Sequence, residues 1–167
     1  MGATKDVHHV AEDWSVLRDG AIAGVKQHEI PNLVTRNGVM TEVFRASWGL
    51  VDAPIEQMIY VALRAGTLSA WHMHRMKTDH LMVVQGAIKT VLYDGRDDSP
   101  SHGRIMVFHL SPMRPTLLVV PPGVWHGLQN LEPESSAFVN FFDRSYDHED
   151  PDDWRLEPDC EEIPYRF

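Results

Sequence analysis

Two segments, Gly66-Thr-Leu-Ser-Ala-Trp-His72-Met-His74-Arg-Met-Lys-Thr-Asp79 and, about fifty residues on, Pro121-Pro-Gly123-Val-Trp-His126-Gly-Leu-Gln-Asn130, carry the reading of this chain. His72 and His74 are one residue apart, so on a strand, where side chains alternate between faces, both rings point to the same side. On a helix they would diverge. Asp79 follows at a distance that lets the chain turn, and the apolar run His80-Leu-Met-Val-Val-Gln85 reads as the returning strand, closed by Gly86. The prolines and glycine before His126 form a rigid turn that delivers its ring onto a third strand. Three imidazoles and one carboxylate thus converge, a nitrogen and oxygen set that suits one divalent transition metal: zinc, iron, manganese or nickel.

Outward from these segments the punctuation is that of an all-β protein. Short apolar runs at 55–63, 80–85, 88–93, 104–110, 117–120 and 137–142 are each bounded by Gly, Pro, Asp or Ser turns. Upstream, runs at 33–36 and 39–45 flank Asn37-Gly38, a two-residue hairpin signal. A jelly roll packs such strands into two sheets around a ligand cavity. With 167 residues and 43% hydrophobic content, the chain is the size of one domain. Its expected parts are N-terminal strands and hairpin over 1–54, a barrel over 55–142, and an acidic C-terminal tail over 143–167 that packs on the barrel.

The net charge of −9 is concentrated in one place. Ten of the 24 acids lie in 143–162 with only Arg144 and Arg155 among them, so the rest of the chain is near neutral and does not repel an anionic ligand. On charge alone the acidic block reads as a solvated tail. No basic stripe with interleaved aromatics is present, which argues against a nucleic-acid partner. Neither a run of eighteen apolar residues nor a basic-flanked apolar leader is visible, so no membrane partner is expected and the expected location is cytoplasmic. The single cysteine, Cys160, agrees with a reducing compartment and excludes an intrachain disulfide framework.

The two segments resemble the paired motifs of the cupin superfamily. Gly66, His72, His74, Asp79 and Gly86 match the first motif, with Asp in place of the usual Glu; Pro121, Gly123, His126 and Asn130 match the second. The resemblance implies a double-stranded β-helix, or jelly roll, with His72, His74, Asp79 and His126 as metal ligands. A narrower resemblance covers most of the chain. Ile55-Glu-Gln57, Ala70-Trp-His72, Val91-Leu-Tyr-Asp94-Gly-Arg96-Asp-Asp-Ser99-Pro100-Ser-His-Gly103, Leu110-Ser111, Val120-Pro-Pro-Gly-Val-Trp-His126-Gly127, Asp150-Pro-Asp-Asp-Trp-Arg155 and Ile163-Pro-Tyr165 are similar to the dTDP-4-dehydrorhamnose 3,5-epimerase family. That family consists mostly of dimeric jelly-roll enzymes of deoxysugar biosynthesis, which invert carbons beside a ketone with a His base, helped by Lys and Asp, and a Tyr acid. The resemblance implies that His72 is the base, His126 the second pocket histidine and Tyr146 the acid, in a homodimer whose N-terminal strands cross to the partner.

The sequence departs from the family pattern in four ways. His74 stands where Gln is common, Asp79 falls at the lysine position, Ser69 replaces a phosphate-binding Arg, and the quoted sequence stops before the region that supplies the family's orienting aspartate. A metal could replace the positive charge lost at Asp79. Arg45, Arg64 and Arg114 are candidate ligands for a substrate phosphate or carboxylate, since guanidinium forks suit such groups.

Blander roles compete with these. Isolated strand histidines are usually structural or exposed, which is the expectation for His8, His9, His28, His102, His109 and His148. His80 faces away from Asp79 on a regular strand, whereas a bulge would exchange it for Asp79 as a ligand. Trp71 and Trp125 are expected in packing, and the histidine pocket itself could be vestigial. Three functions remain: an epimerase or isomerase of a nucleotide-activated keto-deoxysugar or related carbohydrate, a metal-dependent oxygenase or lyase on a small polar substrate, and a non-catalytic ligand-binding cupin.

Overall fold

The computed structural model describes residues 20–167 together with Lys5 and Glu12; His8 and His9 lie outside the described residues. Twelve strands run through the described residues, and the single helical element among them is one 3-10 turn at Ala46–Trp48. Every strand pair is antiparallel. One five-stranded sheet joins β1 (Lys26–Glu29), β9 (Thr116–Val120), β6 (Asp79–Gln85), β11 (Ser136–Phe142) and β4 (Gln57–Leu63), in that order. The other joins β12 (Trp154–Arg155), β5 (Leu68–Met73), β10 (Val124–Asn130), β7 (Ile88–Asp94) and β8 (Ile105–Leu110). This is the expected jelly roll. No helix of the described residues is long and apolar enough to cross a membrane.

Period-two alternation sorts each strand into an inner and an outer row. Leu81, Val83, Leu118, Val120 and Phe138 of one sheet meet Leu92, Phe108, Leu110, Val124 and Leu128 of the other in the main core. The outer rows are also covered. On the first sheet Met82, Leu117 and Phe141 lie beneath Val43, Phe44, Trp48, Leu50 and Ile55. On the second, Trp71 and Val91 lie beneath Leu156, Ile163, Tyr165 and Phe167. Gly127 permits this cover, because a Cβ there would stand 2.5 Å from the Phe167 ring and 2.7 Å from Ala70 Cβ.

Charge alone misread the C-terminal segment as a solvated tail. Most of its acids face solvent, but Asp143 and Asp152 accept backbone N–H bonds from Thr78, Arg75 and Met76 and Asp153 pairs with Lys77, while its spaced apolar residues dock and Ile163 is buried. The tryptophans behave as expected: Trp71 is buried in the outer core and Trp125 packs against it. Two short strands escaped sequence reading, β1 and β12, since four and two residues show no usable periodicity.

The hairpin is present with a one-residue shift. β2 (Leu33–Thr35) pairs with β3 (Gly38–Met40) through Thr35↔Gly38, so Arg36 and Asn37 form the tip and Gly38 begins the second strand. Gly38 takes φ 144°, a conformation that needs no Cβ. The second strand ends at Met40 rather than at position 45.

Candidate functional site

The cavity occupies the end of the barrel where β4 and β6 begin and β11 ends. It has a volume of about 500 Å³, with Ile59, Val61, Leu81, Leu128 and Phe138 on its apolar side. His72 and His126 are register partners across β5 and β10, and their rings stack at 5.9 Å between centroids. His74 follows the last residue of β5, so it leaves the ladder and turns toward β6. Its ring lies 5.7 Å from that of His126, and its Nε2 is 3.6 Å from Asp79 Oδ1.

Buried hydrogen bonds fix these groups. Asn140 Nδ2 donates to Asp79 Oδ1 at 2.7 Å, and the His80 backbone N–H donates to Asn140 Oδ1 at 3.0 Å. His74 Nδ1–H donates to the Asp152 carbonyl and lies 3.1 Å from Asp153 Oδ1. His126 Nδ1–H points at the Val124 carbonyl, 3.4 Å away. In the neutral tautomer these bonds place the lone pair on Nε2 of both rings. Ligand atoms of His74, Asp79 and His126 come within 4.8 Å of one another, a grouping that could hold an ion.

The fourth expected ligand is absent from that group: His72 lines the cavity, but its Nε2 is hydrogen-bonded to the Ser69 hydroxyl at 2.8 Å. The His-x-His alternation does bring both rings to the cavity, while the strand ending between them separates their roles. His80 faces the other way, buried, its Nδ1–H donating to the Phe141 carbonyl at 3.0 Å. Asp79, not His80, points inward.

Electrostatics keep His72 neutral. Burial, then the neighbouring His126, Arg155 and His74, pull its pKa down to about 4 against the opposing pull of Asp79. Burial likewise lowers His126, again against Asp79. A neutral imidazole offers a lone pair, which a base or a metal ligand must have.

Sequence reasoning missed Lys77. It was visible only as a polar residue in the turn before Asp79, but its side chain is 6% exposed and Nζ lies 3.3 Å from Asp153 Oδ1. Nζ also faces the Phe142 ring at 4.9 Å and the Tyr146 ring at 5.6 Å. The charge exchanged at Asp79 is therefore offset two residues earlier. Tyr146 lines the cavity, its backbone N–H donating to Gln57 Oε1 at 3.0 Å. His148, expected to be inert, sits beside it at the rim with ring centroids 5.0 Å apart.

The arginine candidates do not reach the cavity. Arg45 pairs with Glu42 at 2.7 Å in the segment covering the first sheet, and Arg114 pairs with Glu29 at 2.8 Å. Arg64 follows β4 at the barrel end opposite Gln57, where the cavity lies. Arg155, delivered by β12, is the arginine that lines it among the described residues.

Known proteins resemble this chain in sequence and fold. The family model described as dTDP-4-dehydrorhamnose 3,5-epimerase matches residues 19–163. The probable low-salt glycan biosynthesis epimerase Agl13 of Haloferax volcanii is 33% identical over 122 residues, 72% of this chain and 78% of that protein. A dTDP sugar isomerase from Desulfovibrio desulfuricans superposes with TM-score 0.80 at 25% identity, covering 86% of this chain and 90% of that one. The dTDP-4-dehydrorhamnose 3,5-epimerase of Bacillus anthracis, solved with TDP and PPi bound, has TM-score 0.73 at 26% identity, with 84% and 83% covered.

Proposed function

The chain belongs to the dTDP-4-dehydrorhamnose 3,5-epimerase family, a family of sugar epimerases, and from that premise we propose that it inverts a carbon beside the ketone of a nucleotide-activated 4-keto-deoxysugar. The observation that carries this reading is the neutral, half-buried His72 facing a cavity that Lys77 and Tyr146 also line. The His72 lone pair takes the proton from the carbon beside the ketone, that C–H bond breaks, and the electron pair moves onto the carbonyl oxygen as an enolate. The Lys77 ammonium, held at 3.3 Å from Asp153, is the lining cation on the Tyr146 side that faces that negative charge. The Tyr146 hydroxyl then returns a proton to the opposite face, re-forming the C–H bond with inversion; the phenolate is reprotonated from solvent and the His72 imidazolium gives its proton up to solvent.

Solvent isotope separates the two proton transfers. In heavy water the protein should wash deuterium into a nucleotide-linked 4-keto-6-deoxy sugar. Tyr146→Phe should leave this exchange intact while slowing inversion by about 10²-fold, the low end of a general acid's contribution. Equal loss of both, read by NMR, would remove Tyr146 from the acid role.

A second reading adds a metal, favoured by the His74, Asp79 and His126 grouping and by the anchoring of the outer nitrogens of both histidines. The donor set fits zinc, iron, manganese or nickel with coordination positions left open. When bound, such an ion supplies Lewis-acid stabilisation of a carbonyl oxygen, or in an oxygenase a place for dioxygen. The expected result is about one equivalent of transition metal in purified protein, lost in a folded His74→Ala variant. Bound iron with oxygen uptake on a small organic acid, and no exchange into any keto sugar, would favour the oxygenase instead.

The expected assembly is a homodimer. Leu33, Val34, Val39 and Met40 of the β2–β3 hairpin are 53%, 76%, 64% and 60% exposed, and an isolated two-stranded hairpin is marginal in water. Among the described residues β4 is a sheet edge, and it carries exposed Met58 and Tyr60. A second copy of the chain would cover both. Light scattering at micromolar concentration should give twice the chain mass, and Val34→Glu with Val39→Glu should shift it toward monomer.

A further inference from the structure

The cavity-facing side of the second sheet carries a row of side chains that no sequence motif announces. β12 pairs with β5 through Arg155↔His72, and β5 pairs with β10 through His72↔His126. Register partners on antiparallel strands project to the same face, and neighbouring strands stand roughly 4.8 Å apart. Arg155, His72 and His126 therefore stand side by side along the inner face, Arg155 outermost because β12 is the sheet edge.

The charges around the cavity have a direction. Lys77 is already paired with Asp153, whereas the Arg155 guanidinium makes no hydrogen bond or ion pair with any described residue. Beyond Lys77 and Tyr146 a second depression is lined by Glu56, Asp143, Asp147, Asp150 and Asp152 against Arg144, a net acidic rim that disfavours an anion. An anionic substituent on a substrate held over His72 is thereby directed to the β12 side. Ser69, next to His72, brings no charge there and is occupied by the His72 ring.

We propose that Arg155 is the phosphate-recognition residue of this site, gripping the diphosphate of the substrate at the rim and so placing the sugar ring over His72. This rests on the reading of the substrate as nucleotide-activated. A guanidinium fork meets two phosphate oxygens at once, which sets orientation as well as affinity. Arg155 acts as a binding and positioning residue. Its side chain is exposed and unbonded, so replacing it leaves the fold intact.

Calorimetric titration of inorganic pyrophosphate and of thymidine diphosphate into the full chain tests it without turnover. Arg155→Gln should weaken both ligands by about 10- to 100-fold, the loss of a charge-assisted contact, and Arg155→Lys should recover only part of this. Arg64→Gln, at the far end of the barrel, should change nothing. In deuterium exchange, Arg155→Gln should raise KM for a nucleotide-linked keto sugar with little change in kcat. Unchanged affinity in Arg155→Gln, or no binding of either ligand to the unmodified protein, overturns the proposal. Arg155-dependent binding without exchange into any keto sugar would uphold this anion site and sink the epimerase reading; exchange with a KM indifferent to Arg155 would do the reverse.

Discussion

Replacing His72 by Asn is expected to slow deuterium wash-in from solvent by roughly 10²- to 10⁴-fold, the contribution of a positioned general base. Asn keeps the inner half of the ring's shape but ends short of Nε2, so the change removes the basic nitrogen together with its bond to Ser69. Within the cavity the competing candidate is His74, whose Nδ1 lies against Asp153 in an imidazole–carboxylate pair that His72 lacks. Full exchange in His72→Asn together with its loss in His74→Ala would move the base to His74. The pH profile gives an independent check. With its pKa drawn down to about 4, chiefly by burial, His72 is neutral through the physiological range, so exchange should be flat above about pH 5 and fall as pH approaches 4. The same shift bears on stability. An unfolded histidine takes up its proton near pH ~6.5 while the folded one resists, so His72 costs stability progressively as pH falls from about 6.5 toward 4 and costs none above.

The largest stability effect is expected at Asp94, outside the cavity. This carboxylate is fully buried at the end of β7 and accepts hydrogen bonds from Arg96 Nε and Nη2 at 2.8 Å each and from the Ser99 and Ser101 hydroxyls at 2.6 Å each. Arg96 Nη2 also donates to the Ala23 carbonyl at 2.8 Å, and the Ala23 N–H donates to Ser101 Oγ at 2.7 Å. The carboxylate thus ties the loop after β7 and the chain near Ala23 to the barrel. Asp94→Ala leaves a part-buried guanidinium and the Ser99 and Ser101 hydroxyls without their shared acceptor and should cost about 3 kcal/mol, a large share of the 5–15 kcal/mol that typically holds a domain together. Urea denaturation measures this directly, and a loss below about 1 kcal/mol would contradict it. Burial alone would raise the Asp94 pKa, but the bonds from Arg96, Ser101 and Ser99 outweigh it and hold the group well below the ordinary carboxylate range. Its stabilisation is therefore complete above the unfolded value near pH ~3.9 and is lost as pH falls below it.

Both expectations concern residues within motifs that the bare sequence displays, yet only His72 was singled out there. Asp94, Arg96 and Ser99 stood in the family-like stretch as a string of letters. Their joint role depends on Ser101 and Ala23 arriving at the same carboxylate, and no periodicity encodes a loop folding back on its own anchor. Lys77 was hidden for a related reason. A lysine in a turn is usually solvated, and only the path of the chain from Met73 to Asp79 carries Nζ inward to Asp153.

What the sequence determined by itself is whatever local alternation and turn chemistry encode. The apolar runs became strands of the jelly roll with ends shifted by one or two residues, His-x-His brought both rings to the cavity, and the Pro-Pro-Gly turn set His126 beside them. Tertiary structure decided how these groups divide. The end of β5 at Met73 released His74 to join Asp79 and His126 and left His72 with Ser69, and pairing of two residues far along the chain with β5 brought Arg155 into the row. The physical reason is range: a side chain's face is set by its own strand within a few residues, whereas its neighbours across the barrel are set by register between distant strands, which a two-residue edge strand cannot advertise.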